Sequence, residues 1–159
     1  KNGCLVPFLR PKYLSTSNAT SQKLIEYICK KVDYHDYIIL IQPTSPFRTS
    51  KDIDDALMIC EKKNAYSVVS VTENKKNINL MYTFDKNKKF KSFKNNKFNK
   101  KIYILNGAVY ILRFKNMLKK KPIINANTIP YNMPFERSID IDTKLDLDMA
   151  RMIYNRKSK

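Results

Sequence analysis

The sequence predicts an α/β fold with a mainly parallel sheet and flanking helices. Two short apolar runs rich in β-branched residues, 37–41 and 66–71, are typical of buried parallel strands. A stretch with helical periodicity lies between them, and strand, helix and strand at these lengths are typical of a right-handed crossover unit. A chain of 159 residues, 43% of them hydrophobic, can bury one core, so we expect one domain or a part of one.

The first part of the chain predicts a short strand followed by a helix. Residues 6–9 are the strand, and Ser17 or Asn18 is the candidate N-cap of a helix over about 19–31. An apolar stripe at helical spacing supports that helix, formed by Leu24, Ile25, Ile28 and Val32. The run 37–41 that follows is too short for a helix, and its continuous apolar character predicts a strand at the centre of the sheet.

The loop 42–46 contains two prolines and therefore ends that strand. Thr49 or Ser50 is the candidate N-cap of the next helix, whose acidic first turn suits the positive end of the helix dipole. Further strands are predicted over 66–71, 107–112 and 129–133. Thr143 is predicted to cap a final helix, with Asp146 at the capping-box position and an inward stripe of Leu145, Met149, Met152 and Ile153.

Composition narrows the class of protein. The formal charge of +17 suggests a polyanionic partner, but lysines are spread along the chain with much Asn and Ile, so biased composition explains much of the charge. The three cysteines share no C-x-x-C spacing, which argues against a disulfide framework or a zinc site. No stretch has the length and apolarity of a membrane helix, and no secretory signal opens the chain. We expect a soluble protein in the reducing cytoplasm.

The segment of about 73–101 interrupts the regular α/β pattern. It is dense in lysine and contains Phe90, Phe93 and Phe98, which superficially resembles a stacking groove for single-stranded nucleic acid. These phenylalanines follow neither a two-residue nor a helical period, so they do not line one face of a regular element. We therefore interpret the segment as an inserted β-ribbon whose aromatic side chains pack inward or against a partner subunit.

Polar side chains near predicted strand ends are candidates for chemistry. Asp140 and Asp142 leave the same face of an extended chain, roughly 6 to 7 Å apart, and could share Mg²⁺ with phosphate oxygens; solvated acids at a helix start are the alternative. Gln42 lies beyond the carboxyl end of a strand and suits a sugar hydroxyl or carboxylate, although a simple turn fits equally. Arg10 follows the first predicted strand and could bind phosphate or carboxylate. His35 is interpreted as exposed.

Several blocks of sequence together resemble the acylneuraminate cytidylyltransferase family, the synthetases of CMP-sialic acid and CMP-legionaminic acid. The blocks follow the family's order over nearly the whole chain, and QPTSPFR and SIDIDT are the specific ones. They are 8–11 (FLRP), 18–21 (NATS), 40–48 (LIQPTSPFR), 66–71 (YSVVSV), 106–111 (NGAVYI) and 138–143 (SIDIDT).

The resemblance implies a Rossmann-like nucleotidyltransferase fold that makes a CMP-sugar and pyrophosphate from CTP and a sialic-acid-like nonulosonic acid. It also implies a homodimer in which the ribbon of about 73–101 reaches the partner's site. By position in the matching blocks, it implies roles in binding Mg²⁺ for Asp140 and Asp142, in binding the nucleotide for Arg10 and Ser21, and in binding the sugar for Gln42, Asn106 and Tyr110.

The chain also departs from the family's pattern. The glycine-rich phosphate-binding loop with which the family usually opens has no counterpart, so we expect residues 1–159 to be a partial cytidylyltransferase domain without its N-terminal part. The Arg-Gln pair that sialic acid enzymes carry before Asn106 is replaced, and Lys97 is a possible substitute for the cation at the sugar carboxylate. Three classes of function stay open: a cytidylyltransferase, a catalytically silent dimerising fragment and a basic nucleic-acid-binding module.

Overall fold

Six strands and four α-helices make up the fold in a computed structural model, which describes residues 3–16, 18–76, 80–92 and 101–157. The helices are α1 (Ser21–Cys29), α2 (Ser50–Lys62), α3 (Phe114–Leu118) and α4 (Lys144–Lys157), and 3₁₀ turns cover Lys12–Leu14 and Phe135–Arg137. The strands are β1 (Tyr37–Leu40), β2 (Ser67–Glu73), β3 (Tyr82–Phe84), β4 (Phe90–Ser92), β5 (Tyr103–Arg113) and β6 (Thr128–Asn132).

The main sheet is mixed, with strand order β1-β5-β2-β6. β5 is antiparallel to both β1 and β2, and only β2 and β6 form a parallel pair. The α/β class is confirmed, but the expectation of a mainly parallel sheet is wrong for the hydrogen-bonded pairs. β1, β2 and β6 do run in one direction, as crossover connections require, and β5 returns between the first two with the opposite direction.

Helices on both faces of the sheet bury the core in two clusters. On one face α1 and α3 cover β1 and β5, where Ile25, Leu112, Phe114 and Met117 are fully buried. On the other face α2 contributes Ala56 and Cys60 to a cluster of strand residues, which are Val68, Ala108, Val109 and Ile111 with Met133 beside them. Ile111 and Leu112 of β5 therefore serve opposite faces, as the two-residue period of a strand requires.

Two predictions for the first part of the chain are wrong. Residues 6–9 form no strand, since Pro7 lacks a backbone donor and Val6 and Leu9 are exposed without a neighbouring strand in the described ranges. The helix is confirmed in type, but it begins at Ser21 with Thr20 as its N-cap. Asn18 lies in a turn before it, and Ser17 lies outside the described residues.

β1 lies at an edge of the described sheet and not at its centre. Within the described part of the chain it pairs only with β5, and Ile39 is exposed. A continuous apolar run predicts burial on two faces, but it does not report which neighbours a strand has along its hydrogen-bonding edges. β6 lies at the other edge of the described sheet, and Pro130 is compatible with that position because an edge strand can lack a backbone N–H without losing a partner.

α2 begins at a capping box whose N-cap is Thr49, one of the two residues that the sequence offers for that position. The Thr49 hydroxyl accepts from the backbone N–H of Asp52, whose carboxylate accepts from the backbone N–H of Thr49. The same carboxylate is fully buried and also receives hydrogen bonds from Tyr131 and from the Arg137 guanidinium at 2.7 Å. Burial alone raises the pKa of this carboxyl, but the hydrogen bonds from Arg137 and Thr49 outweigh it and lower the pKa to about 2. This ionised group therefore ties α2 to β6 and to the turn that follows.

The capping box of α4 is confirmed, but its predicted inward face is wrong for three of the four residues, and only Ile153 is half-buried. The Asp146 carboxylate accepts from the backbone N–H of Thr143 at 2.8 Å and from its hydroxyl. Leu145, at 68% exposure, faces solvent together with Met149 and Met152, while Ala150 is buried. Apolar residues occur on two faces of this helix, so periodicity alone does not decide which face packs.

The predicted ribbon contains a β-hairpin, β3 paired with β4, in a sheet of its own. Phe84 and Phe90 stack with ring centroids 5.3 Å apart, Tyr82 packs edge-on against Phe90, and all three rings are exposed. The ribbon's other phenylalanines, at 93 and 98, and the candidate cation Lys97 lie outside the described residues. None of the described helices combines the length and apolarity needed to cross a membrane.

Candidate functional site

The candidate site lies at the carboxyl ends of β1, β2 and β6, where open α/β sheets bind ligands. The loop after β1 carries Gln42, and the segment after β6 carries Asp140 and Asp142. A backbone hydrogen bond of 2.9 Å from Ile141 N to Thr44 O joins these two segments. Two of the predicted site regions are therefore neighbours in space.

A bulge in β5 occupies the gap between these segments. The register with β2 jumps from Val69–Tyr110 to Val71–Leu105, so residues 106–109 of β5 lie opposite Ser70 alone. Such bulges leave backbone groups outside the strand ladder and re-aim neighbouring side chains. Side chains take over the missing hydrogen bonds here, because buried backbone groups need partners.

The partners of the bulge come from separate sequence blocks. Ser70 Oγ accepts from Val109 N at 2.7 Å, and the Asn106 side chain accepts from Ala108 N at 3.2 Å. On the carbonyl side, Arg48 donates to Ala108 O at 2.9 Å and to Gln42 O at 3.1 Å, and Ser45 donates to Asn106 O. The blocks 42–48, 66–71 and 106–111 thus form one polar framework.

Gly107 forms the closest point of approach within this framework. Its φ is +71°, and a Cβ at this position would overlap the Gln42 carboxamide oxygen and lie 3.4 Å from Asp140 Oδ2. A side chain at this position would strain the backbone and would force the end of the Gln42 side chain to move. The structure thereby brings together Gln42 and Asp140, which the sequence predicts as sugar and metal residues.

Asp140 carries the most informative electrostatic feature. Its Oδ1 is buried and has no hydrogen-bond partner among the described residues. The neighbouring Tyr110 hydroxyl has its pKa raised, first by burial and then by the negative charge of Asp140. A buried carboxylate oxygen without a partner is costly unless a cation or donor from a ligand completes it.

Asp142 is exposed and immediately precedes the N-cap of α4. Neither acid lies in a regular strand, so the same-face argument from an extended chain does not apply to this pair. No group of three or more metal-binding side chains occurs within the described ranges. Oxygen ligands suit Mg²⁺, which in proteins keeps several waters and often binds one or two carboxylates plus substrate phosphates. The two acids and the unpartnered oxygen fit that pattern.

A cleft of about 350 Å³ adjoins the framework on the α1 side. It is lined by Arg10 and Ser21, predicted for the nucleotide, and by Gln42 and Thr44 from the loop after β1. Ser21 is the first residue of α1, so the positive end of that helix faces this region. The arrangement joins the predicted nucleotide and sugar residues through the shared Gln42.

The remaining predicted residues differ in exposure. Asn106 is 5% exposed and its side-chain amide is hydrogen-bonded within the protein, so its sugar-binding role stays a prediction. His35 is exposed, as predicted. Sequence reasoning missed the roles of Gly107 and Arg48. Gly107 carried a usable signal, because the chain has only two glycines and this one interrupts an apolar strand.

Comparison with known proteins shows relatives of one kind, while no family model matches the chain. N-acylneuraminate cytidylyltransferase of Escherichia coli is 31% identical over 157 residues, which cover 95% of this chain and 38% of that protein. CMP-N,N'-diacetyllegionaminic acid synthase of Legionella pneumophila is 32% identical over 155 residues, covering 91% of this chain and 66% of that protein. Pseudaminic acid cytidylyltransferase of Campylobacter jejuni is 24% identical over 164 residues, which cover 97% of this chain and 71% of that protein.

The mixed sheet with flanking helices is that of an α/β protein, a class that binds its ligands at the carboxyl edge of the sheet. Within that class, the chain belongs to the acylneuraminate cytidylyltransferase family. It spans 38% of the length of the E. coli relative and 66% of the length of the L. pneumophila relative. The matched relatives are named for different nonulosonic acids, so the comparison leaves the sugar open.

Proposed function

We propose that the protein containing this chain transfers the cytidylyl group of CTP to a sialic-acid-like nonulosonic acid. The observation that supports this best is the grouping of Gln42, Gly107 and Asp140 at the carboxyl edge of the sheet. The names of the relatives support the reaction class. In the proposed reaction the anomeric hydroxyl oxygen forms a bond to the α-phosphorus, the bond between the α- and β-phosphates breaks, pyrophosphate leaves, and the hydroxyl loses its proton.

Each side of the site has a role in this proposal. Arg10 and Ser21 bind the nucleotide phosphates in the cleft beside α1, and Gln42 bridges from that cleft to the sugar acid. Tyr110 lies near Asp140, whose charge adds to burial in raising the pKa of the hydroxyl, and this hydroxyl is a hydrogen-bond donor for the sugar acid. Asp140 and Asp142 would hold Mg²⁺, which when bound neutralises charge on the phosphate oxygens and on the leaving pyrophosphate.

Replacing Gln42 tests the sugar side of this proposal. Gln42→Ala is expected to raise the KM for the nonulosonic acid by about 10-fold or more, since a polar contact to a buried substrate group is lost. The KM for CTP should change much less. Pyrophosphate release from the full-length protein, assayed with sialic, legionaminic and pseudaminic acids, measures both constants and shows which acid is used.

Gln22 provides the matched control, because it is the other glutamine of the chain. Its side chain bonds Glu26 and the backbone of Lys121 and Ile123, away from the cleft. Gln22→Ala should lower stability without a selective change in the sugar KM. Equal losses for sugar and CTP in Gln42→Ala would place Gln42 elsewhere in the site.

We propose further that the protein is a homodimer and that the β3–β4 hairpin forms part of its interface. The exposed cluster of Tyr82, Phe84 and Phe90 supports this, because a monomer would leave a stacked aromatic face in water. Lysines flank the rings in this hairpin, and a two-fold contact would bury the rings while leaving the ammonium groups at the rim.

The double variant Phe84→Ser with Phe90→Ser is expected to convert the full-length protein from dimer to monomer. Sedimentation at micromolar concentration measures the change. Leu5→Ser is the control, since Leu5 is 86% exposed, Phe90 is 76% exposed, and Leu5 lies outside the hairpin. A wild-type monomer that binds single-stranded DNA tightly at physiological salt would refute the dimer and favour the nucleic-acid interpretation.

A further inference from the structure

The Asn106 side chain has no free hydrogen-bonding capacity in this structure. Its Nδ2 donates to Ser138 Oγ at 2.9 Å and to Met133 Sδ at 3.4 Å. Its Oδ1 accepts from Ser70 Oγ at 2.5 Å and from Ala108 N at 3.2 Å. An amide offers two donors and two acceptor positions, so a sugar hydroxyl would have to displace one of these bonds.

The partners of Asn106 link strand β2 to the acidic segment. Ser70 is fully buried in β2 and binds both Asn106 and the bulge N–H of Val109. At the other end, Ser138 accepts from Asn106 and donates to Pro134 O at 2.8 Å. A chain of side-chain hydrogen bonds thus runs from the core of the sheet to Ser138, two residues before Asp140.

The Asp140 backbone is held from both sides. Ser138 anchors it on the N-terminal side, and Ile141 N donates to Thr44 O on the C-terminal side. Between these anchors, the Asp140 carboxylate lies against Gly107 with its Oδ1 buried and unpartnered. Groups that orient a metal ligand without touching the metal are usually needed for metal affinity.

We propose that Ser70, Asn106 and Ser138 are positioning residues, a hydrogen-bonded relay that holds the Asp140 carboxylate in place for the metal. Asn106 acts through Ser138 and not through direct contact with the sugar. This inference rests on the proposed cytidylyltransferase function for its metal and CTP. The relay itself is a property of the fold and can be tested separately.

Mn²⁺ binding in the presence of CTP, followed by electron paramagnetic resonance on the full-length protein, measures the expected effect. Ser138→Ala and Ser70→Ala should each weaken Mn²⁺ affinity by about 10-fold or more, the scale found for residues that orient metal ligands. The KM for the nonulosonic acid should stay within about twofold. Ser138→Thr keeps the hydroxyl and should restore Mn²⁺ affinity.

Ser67→Ala is the matched control for Ser70→Ala. Both serines are on β2 and are 0% exposed, but Ser67 bonds Ile123 O and Thr128 at the far end of the strand. Its loss should lower stability and leave Mn²⁺ affinity unchanged. An Asn106→Ala variant that raises the sugar KM while Ser138→Ala and Ser70→Ala bind Mn²⁺ normally would overturn the relay and restore a direct sugar contact.

Amide hydrogen exchange separates the relay from the proposed function. Ser138→Ala should speed exchange at Ile141, and Ser67→Ala should not. A wild-type protein that binds no Mn²⁺ with CTP would defeat the proposed function, and the relay would then be judged by exchange. Faster exchange at Ile141 supports it, and unchanged exchange overturns it.

Discussion

Replacing either Asp140 or Asp142 with asparagine is expected to lower CMP-sugar formation by at least about 100-fold, the scale of losing a metal clamp on a phosphoryl centre. For Asp140 the structural reason is its buried Oδ1, which has no partner among the described residues and is therefore available to a cation. A neutral amide would bind that cation less strongly. For Asp142 the reason is its position next to Asp140 at the start of α4. Pyrophosphate release measures turnover, and Mn²⁺ titration measures binding without turnover.

The melting temperature distinguishes a loss of metal binding from a loss of stability in these variants. Because Oδ1 of Asp140 has no hydrogen-bond partner among the described residues, Asp140→Asn breaks no hydrogen bond at this atom and should not lower Tm. Asp148→Asn is the control, because Asp148 is an exposed acid of α4 that pairs with Arg151 at 3.3 Å. Wild-type turnover in both site variants would remove the metal role from this pair.

Gly107→Ala is expected to have the second large effect, on both activity and stability. The positive φ alone costs roughly 1–2 kcal/mol with a side chain present. The added Cβ would also force the Gln42 carboxamide oxygen to move, and it would lie in van der Waals contact with Asp140 Oδ2. Misplacing reacting groups by about 1 Å can cost about 100-fold in rate, so we expect turnover to fall 10- to 100-fold.

The chain offers a closely matched control for this prediction. Gly3 has φ +75°, similar to that of Gly107, but a Cβ there would meet nothing within 4 Å. Gly3→Ala should therefore show only the backbone cost, visible as a small change in Tm, with turnover unchanged. If Gly107→Ala were equally active and only less stable, the contact between Gly107, Gln42 and Asp140 would not be needed for function.

Local patterns predicted the helices well where capping decides them. Thr143 with Asp146 is a capping box in the prediction and in the structure, and Thr49 is one of the two predicted N-caps of α2, because the atoms of a cap lie within one turn of chain. The prediction of a strand at 6–9 failed, because a strand needs a neighbouring strand to pair with and the described residues do not provide one. The prediction of the inward face of α4 failed for a related reason. The helix has apolar residues on two faces, and tertiary packing decides which face is buried.

The candidate site was predicted residue by residue, but its geometry was not. The family resemblance pointed to Gln42 and Asp140. Nothing in their spacing along the chain indicated that both side chains lie beside Gly107. The framework that positions them depends on a bulge whose partners, such as Arg48 and Ser70, are remote in sequence. Hydrogen bonds of this kind follow from strand register, which a single sequence does not report.

By itself the sequence determined the α/β class, the capping box of α4 and the resemblance to the cytidylyltransferases, because these depend on short-range order along the chain. Only the tertiary structure decided that β5 returns between β1 and β2, that Leu145 faces outward and that Gln42 meets Asp140 at Gly107. The physical reason is that strand pairing and packing depend on contacts between residues far apart in sequence. Local propensity does not encode which distant partner such a residue meets.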